Sequence, residues 1–266
     1  MLEGETGQGS ELAGNWETEA ENWVRWVRTP GHDAYWRYRD VFFGEVVPRR
    51  SRRVLELGSG EGRVARDLSA RGHLVVGVDS SPTLARYAKE AGGGPAYVIA
   101  DCASLPFPDA SFDLVVAYNS LMDVENMPGT VAEAARVLVP AGRLCASVTH
   151  PFADAGEFRG EGSAARFTVT RPYFGCHRFE GTFRRAGLTM TFRGWTYALE
   201  EYSKALEDAG LVTELLREPK PTVTDNSNDR GAKFPVFLYL RACKPAAAPS
   251  KLAPFTNSTA ATSPPD

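Results

Sequence analysis

The chain has 266 residues, a net charge of −3, 43% hydrophobic and 24% charged residues. That length buries a sizeable core in one large domain or two small ones, and the composition is that of an ordinary globular protein. The slightly acidic balance disfavours nucleic acid as the main partner, and no apolar run approaches the ~18 residues of a membrane-spanning helix.

Four cysteines, Cys102, Cys145, Cys176 and Cys243, form no C-x-x-C pair. With no secretory leader expected from the polar N-terminus, the compartment predicted is the reducing cytoplasm. The four histidines, His32, His73, His150 and His177, lack the H-x-x-x-H or H-E-x-x-H spacing of a metal site, so no metal is expected.

Residues 1–13 are rich in Gly, Glu and Ser, and disorder is predicted there. From Trp16 to Arg28 the spacing of Trp16, Trp23 and Val27 predicts one face of a helix. Thr29-Pro30-Gly31-His32-Asp33 breaks it, and Asp33 is placed to cap a second helix carrying Tyr35, Trp36 and Tyr38. This aromatic stretch, 14–49, reads either as a layer packed on a sheet or as a lid over a ligand.

Val54 to Leu57 is a short apolar run, read as a buried parallel strand. Glycine then occupies every second position, Gly58, Gly60 and Gly62, and Val64, Ala65 and Leu68 mark a helix over Arg63 to Arg71. Strand, glycine turn and helix is the order that brings backbone N–H groups and a helix N-terminus up to a ligand. A tight turn without a ligand has the same pattern. The dinucleotide fingerprint G-x-G-x-x-G needs glycine at position 63, where Arg63 stands, and no Gly-Lys-Ser/Thr follows for a phosphate-binding Walker loop.

The second strand runs from His73 to Val78 and ends in Asp79. An acidic residue roughly twenty positions beyond such a turn is placed to accept from ribose hydroxyls. Asp79 also fits the start of a helix over Pro82 to Glu90, with Ser80 and Ser81 beside it. A third strand, Tyr97 to Ala100, ends in Asp101-Cys102-Ala103, and a fourth covers Leu114 to Ala117, followed by Tyr118-Asn119-Ser120-Leu121. A helix over Gly129 to Val139, a turn at Val139-Pro140-Ala141-Gly142-Arg143 and a fifth strand, Leu144 to Val148, lead to Thr149-His150-Pro151-Phe152.

Glu56-x-Gly58-x-Gly60-x-Gly62 resembles the first motif of the class I S-adenosylmethionine (SAM) dependent methyltransferases. Asp101-Cys102-Ala103-x-Leu105-Pro106-Phe107-x-Asp109-x-Ser111-Phe112-Asp113 resembles the third-strand motif of their ubiquinone-type branch. The turn at 139–143 is similar to the family's Leu-Lys-Pro-Gly-Gly, from which Ala141 departs. The resemblance covers residues 50–150. It implies SAM as cofactor and S-adenosylhomocysteine as product. It implies a cradle of Gly58, Ser59, Gly60 and Gly62, and Asp79 with Ser80 at the ribose. Asp101 and the Cys102 backbone would meet the adenine, Asn119 and Ser120 the methionine half, and Glu56 the methionine amino group. It also favours the lid reading of the N-terminal helices, with Trp26 and Tyr35 as substrate contacts.

Beyond 150 the pattern changes. Phe167 to Phe174, Arg178 to Phe183 and Leu188 to Phe192 alternate apolar and polar residues, which predicts a small antiparallel insertion over 151–195 at the substrate edge of the sheet. Thr196 to Ala209 reads as a helix capped by Thr196, with Gly210 at its end. Leu211 to Arg217 and Phe234 to Ala242 read as the last two strands, separated by a polar loop. Residues 244–266 are Ala-, Pro-, Ser- and Thr-rich, and disorder is predicted.

The expectation is a Rossmann-like α/β fold over 14–243: a seven-stranded, mostly parallel sheet with helices on both faces, a helical segment at 14–49, a SAM-binding core at 50–150, the β insertion at 151–195 and the end of the sheet at 196–243. The activity expected is methyl transfer to a small aromatic or hydrophobic acceptor by a monomer or homodimer, without a nucleic-acid or membrane partner. His150 is the candidate general base or a structural histidine, and Tyr118 and His177 are further substrate-side candidates. The alternatives are a SAM-binding protein without catalysis and a nicotinamide-dependent oxidoreductase, against which Arg63 speaks.

Overall fold

The computed structural model describes residues 11–50, 53–160, 165–222 and 234–246. The disorder expected for 1–10 and 247–266, and most of the polar loop before the last strand, lie outside the described residues. Helix α1 (Glu11–Arg28) begins inside the segment expected to be disordered, so 11–13 are helical. Helix α2 (Tyr35–Val41) continues into a π-helical turn, Phe42–Val46. Asp33 does serve its start: Oδ1 accepts from the Tyr35 N–H at 2.6 Å.

The core alternates strand and helix: β1 (Arg53–Leu57), α3 (Arg63–Ala70), β2 (Leu74–Asp79), α4 (Pro82–Ala91), β3 (Ala96–Ile99), β4 (Phe112–Tyr118), α5 (Met127–Val137) and β5 (Leu138–Thr149). A short helix α6 (Pro151–Asp154) and two hairpins follow, β6 (Gly156–Arg159) with β7 (Arg166–Val169), and β8 (Cys176–Arg185) with β9 (Leu188–Tyr197). Then come α7 (Leu199–Asp208), β10 (Val212–Arg217) and β11 (Phe237–Cys243).

The central sheet has seven strands in the order β10-β11-β5-β4-β1-β2-β3. β1 to β5 run parallel, and β11 lies antiparallel between β5 and β10. The chain order reverses between β1 and β4, which opens a crevice at the carboxyl ends of those two strands. Side chains alternate across the sheet, so β1 and β4 feed two cores. Leu55, Leu57, Val115 and Ala117 pack with α5 and α7 through Val131, Ala134 and Leu206. Val54, Leu114, Val116 and Tyr118 pack on the other face with Val64, Leu68, Tyr38 and Phe42.

Several boundaries differ from the sequence reading. Thr196 is not a helix cap: it lies in β9 opposite His177, and α7 starts after Ala198. The turn at 139–142 is a bulge inside β5, where pairing with β4 steps from Leu138 to Arg143 and Ala141 takes φ +64°. Helix α5 starts earlier than expected because Asn126 Oδ1 accepts from the Gly129 N–H at 2.9 Å. Lys244, placed in the disordered tail by composition, is anchored by Nζ donating to the Ala135 and Leu138 carbonyls, both at 2.8 Å.

Candidate cofactor and active site

Gly58, Gly60 and Gly62 all hold positive φ, at +65°, +54° and +84°. Space as well as backbone angle demands glycine at the first: a Cβ on Gly58 would come 2.6 Å from Ser120 Cβ. Ser120 is fixed there by donating from Oγ to the Leu57 carbonyl at 2.6 Å. The ends of β1 and β4 are thereby locked edge to edge at the floor of the crevice. Asp79, at the end of β2, closes the third side. Its Oδ2 accepts from the Gly60 N–H at 2.7 Å and its Oδ1 from the Ser81 N–H at 2.9 Å. The cap of α4 is Ser81, whose Oγ accepts from the Leu84 N–H at 3.1 Å. Asp79 therefore organises the glycine turn, and each of its oxygens keeps a second lone pair. Burial raises its pKa, against the two backbone bonds.

Glu56 is 2% exposed, and its Oε2 has no hydrogen-bond partner among the described residues. Burial, and next the charge of Asp79, push its carboxyl well above the usual range, while Arg63, the Ala65 N–H and Arg66 pull the other way. A buried carboxylate with an open lone pair calls for a cationic or donor partner. The amino group of SAM is such a partner, so the residues present fit this cofactor. Ser59 Oγ, also buried and unpartnered, lies under the same turn.

The remaining predicted cofactor residues follow the carboxyl ends of β2, β3 and β4. Cys102 is buried, its sulfur takes the Gly58 N–H, and burial lifts the thiol to about 12. Asp101 is exposed, with Oδ1 holding the Ala103 N–H at 2.8 Å. Ser80 is exposed on the loop after Asp79. Asn119 takes φ +52°, donates its N–H to the Ser147 carbonyl at 2.7 Å and accepts from Ser147 Oγ at 2.5 Å.

The predicted substrate residues are dispersed. His150 stands at the end of β5, but its Nδ1 accepts from the Phe152 N–H at 3.1 Å, capping α6, and its Nε2 lies 2.9 Å from Glu218 Oε1. Accepting at Nδ1 places the neutral ring's proton on Nε2, donating to Glu218. Burial lowers the His150 pKa, with Glu218 opposing. Trp26 packs with Val27 and Met190, and its ring meets His32 edge-on at 5.1 Å. Tyr35 is 2% exposed, with its hydroxyl on Asp67 Oδ2 at 2.5 Å and its ring edge-on to Tyr118 at 5.3 Å. Tyr118 thus packs in the layer beneath α2. His177 lies on the β8–β9 hairpin, with Nε2 2.8 Å from the Phe174 carbonyl.

Polar contacts invisible in the sequence bind α1 across this crevice. Glu17 accepts at Oε1 from Thr83 Oγ1 at 2.6 Å and at Oε2 from the Thr83 N–H at 3.2 Å and from Ser81 Oγ. A carboxylate thereby sits on the positive end of α4. Trp23 Nε1 is 3.3 Å from where a Gly60 Cβ would stand. Arg28 meets Glu61 at 3.0 Å, and Arg63 meets Asp33 at 2.6 Å. Arg63, which replaces the third glycine of a dinucleotide fingerprint, ties down the α1–α2 connection. Two carboxylates, Asp123 after β4 and Asp154 in α6, also lie at this edge of the sheet and carried no sequence motif.

Residues 55–146 match the family of the methyltransferase domain. Over 122 residues, 45% of this chain and 50% of the relative, the sequence is 34% identical to demethylmenaquinone methyltransferase of Tropheryma whipplei (strain Twist). Over 213 residues, 67% of this chain and 76% of the relative, it is 29% identical to 27-O-demethylrifamycin SV methyltransferase of Amycolatopsis mediterranei (strain S699). The match thus spans about half the length of the demethylmenaquinone relative. A crystal structure of an S-adenosylmethionine-dependent methyltransferase from Mesorhizobium loti superposes with a TM-score of 0.61 at 24% identity, covering 79% of this chain and 98% of that one. The sheet order, the glycine turn and the sequence match agree in likening residues 55–146 to the methyltransferase domain.

Proposed function

We propose that the protein is an enzyme that transfers a methyl group from SAM to a small-molecule acceptor, aromatic or hydrophobic in character. The observation that carries this reading is Glu56 Oε2, buried without a partner under a glycine turn that Asp79 and Ser120 hold in place. Bound SAM supplies an activated methyl group on a sulfonium. The chain's part is to hold the acceptor in line with it, and such positioning can supply up to ~7–11 kcal/mol. Gly58, Ser59, Gly60 and Gly62 cradle the cofactor, Asp79 and Ser80 its ribose, Asp101 and Cys102 its base, and Asn119 and Ser120 the methionine half.

Helix α1 acts as the lid. It is fastened by Glu17 at one end and Arg28 at the other, with Trp23 against the turn between them. The insertion after β5 closes the acceptor side through β9. His150 serves by capping α6 and bonding Glu218, which shapes the acceptor side. The scattered cysteines support a reducing cytoplasmic setting, and among the described residues no helix is long and apolar enough to cross a membrane.

The test is incubation with labelled SAM and fractionated cell extract. Label transferred to a small molecule supports the reading. SAM binding without transfer to any fraction leaves a SAM-binding protein without catalysis.

A further inference from the structure

Asp123 follows β4 and is bound into the crevice floor, its N–H donating to the Ser120 carbonyl at 3.0 Å. Strand β9 crosses directly over it. The Trp195 N–H donates to the Met122 carbonyl at 2.8 Å, and a Cβ on Gly194 would come 2.6 Å from that same carbonyl oxygen and 3.0 Å from Asp123 Oδ1. Glycine at 194 is what lets β9 lie this close to the carboxylate.

Among the described residues no hydrogen bond or ion pair reaches the Asp123 carboxylate, and the residue is partly exposed at the carboxyl edge of the sheet. The groups that face it are Asp79 from β2, Asp154 from α6 and Tyr202 from α7, none of them cationic. Asp154 is engaged, its Oδ2 accepting from Thr149 Oγ1 at 2.7 Å, and the Arg193 guanidinium of β9 turns away to Glu180 at 2.7 Å. A second open polar atom lies on the same strand, since Trp195 Nε1 is buried without a partner. Burial, then Asp154, then Asp79 raise the Asp123 pKa well above the usual carboxylate range, which strengthens it as a proton acceptor.

Resting on the methyl-transfer reading above, we propose that Asp123 stands at the point of methyl transfer and is the base that takes the acceptor's proton, so that the acceptor reacts through a weakly acidic hydroxyl, phenolic or enolic. The acceptor oxygen bonds the methyl carbon, that carbon's bond to sulfur breaks with its electron pair staying on sulfur, and the hydroxyl proton moves to Asp123. The carboxyl then loses the proton to water before the next turnover.

Sinefungin, in which a carbon bearing an ammonium group replaces the methylated sulfur, places a positive charge at the transfer point without any reaction. Calorimetry with S-adenosylhomocysteine and with sinefungin therefore reads the position of Asp123 directly. Asp123→Asn is expected to bind S-adenosylhomocysteine within about twofold of the parent and sinefungin at least ~tenfold more weakly, and an unchanged ratio overturns the placement. If that variant does not fold, the parent's own preference for sinefungin is expected to decline as pH falls and Asp123 takes up a proton, and a pH-independent preference overturns the placement equally. With a labelled acceptor fraction in hand, Asp123→Asn is expected to lower kcat ~10²–10⁴-fold, with partial recovery in Asp123→Glu. Unchanged kcat overturns the role as base. A parent protein that binds neither ligand overturns the cofactor reading itself, which is a separate failure.

Discussion

Gly60 donates its backbone N–H to Asp79 Oδ2 at 2.7 Å, so the carboxylate proposed to recognise the ribose also holds the glycine turn after β1. Asp79→Ala is therefore expected to do two things at once. Calorimetry should show SAM affinity weakened at least ~tenfold. Two charge-assisted backbone bonds, from Gly60 and Ser81, are lost together, each contributing about 1.5–3 kcal/mol, so the melting temperature should fall as well. Unchanged SAM affinity would remove Asp79 from the cofactor site.

Gly58→Ala combines a positive φ with a methyl group 2.6 Å from Ser120 Cβ. The variant is expected to lose about 1–3 kcal/mol of stability in denaturant unfolding and to bind S-adenosylhomocysteine more weakly. Adding Ser120→Gly opens the space but not the backbone angle, so it should restore part of the loss and not all. Full restoration would show that the angle at Gly58 carries no cost.

Glu17 fastens α1 to the start of α4. Burial alone would raise its pKa, but the bonds from Ser81 and Thr83 and the charge of Arg86 outweigh it, and the net shift is downward from 4.5. A depressed carboxyl stabilises the fold above its unfolded pKa, and the contribution disappears as pH falls through the folded value. Glu17→Gln should melt earlier than the parent at neutral pH, and the two should converge below about pH 4, reading the unfolded carboxyl as ordinary. The variant should also release S-adenosylhomocysteine faster in stopped flow, because the lid is unfastened. Equal release rates would leave α1 as a packing layer.

Asp154 runs the other way. Burial lifts it from 3.8 to about 6, against the Thr149 hydroxyl and Arg171. The folded state holds the proton more tightly than the unfolded chain, so stability declines as pH rises between those values. Asp154→Asn keeps an acceptor for Thr149 without the charge. It is expected to raise the melting temperature at pH 7, by at most the equivalent of about 3 kcal/mol, and to have no effect below about pH 4. A drop at pH 7 would mean that the charge is compensated.

Much of this was legible in the chain itself, because parallel strands buried on both faces read as short apolar runs. Val54–Leu57 and the glycines after it announce both the sheet and the crevice. Asp79, Ser120 and Cys102 stand at or just after the carboxyl ends of β2, β4 and β3. What the motifs could not supply is contact between distant segments. Glu17 meets Thr83 across 66 positions, and Gly194 meets Met122 and Asp123 across two elements. His150 shows the converse: residue type and strand-end position pointed to a base, whereas local geometry engages both ring nitrogens, one of them in capping α6. Thr196 reads as a cap in the sequence because hydroxyl residues favour helix starts, but pairing with His177 keeps it in the strand.

The central claim is that the crevice between β1 and β4 takes SAM and not a nicotinamide dinucleotide. Thermal unfolding with S-adenosylhomocysteine, with NADH and with neither tests it most directly. A ligand at ~100 times its dissociation constant stabilises the fold by about 2.7 kcal/mol, a rise of several degrees for a domain of this size. A rise with S-adenosylhomocysteine alone is the predicted result. A rise with NADH alone would contradict the account, because Arg63 would then be no obstacle to a dinucleotide and the glycine turn would serve an oxidoreductase.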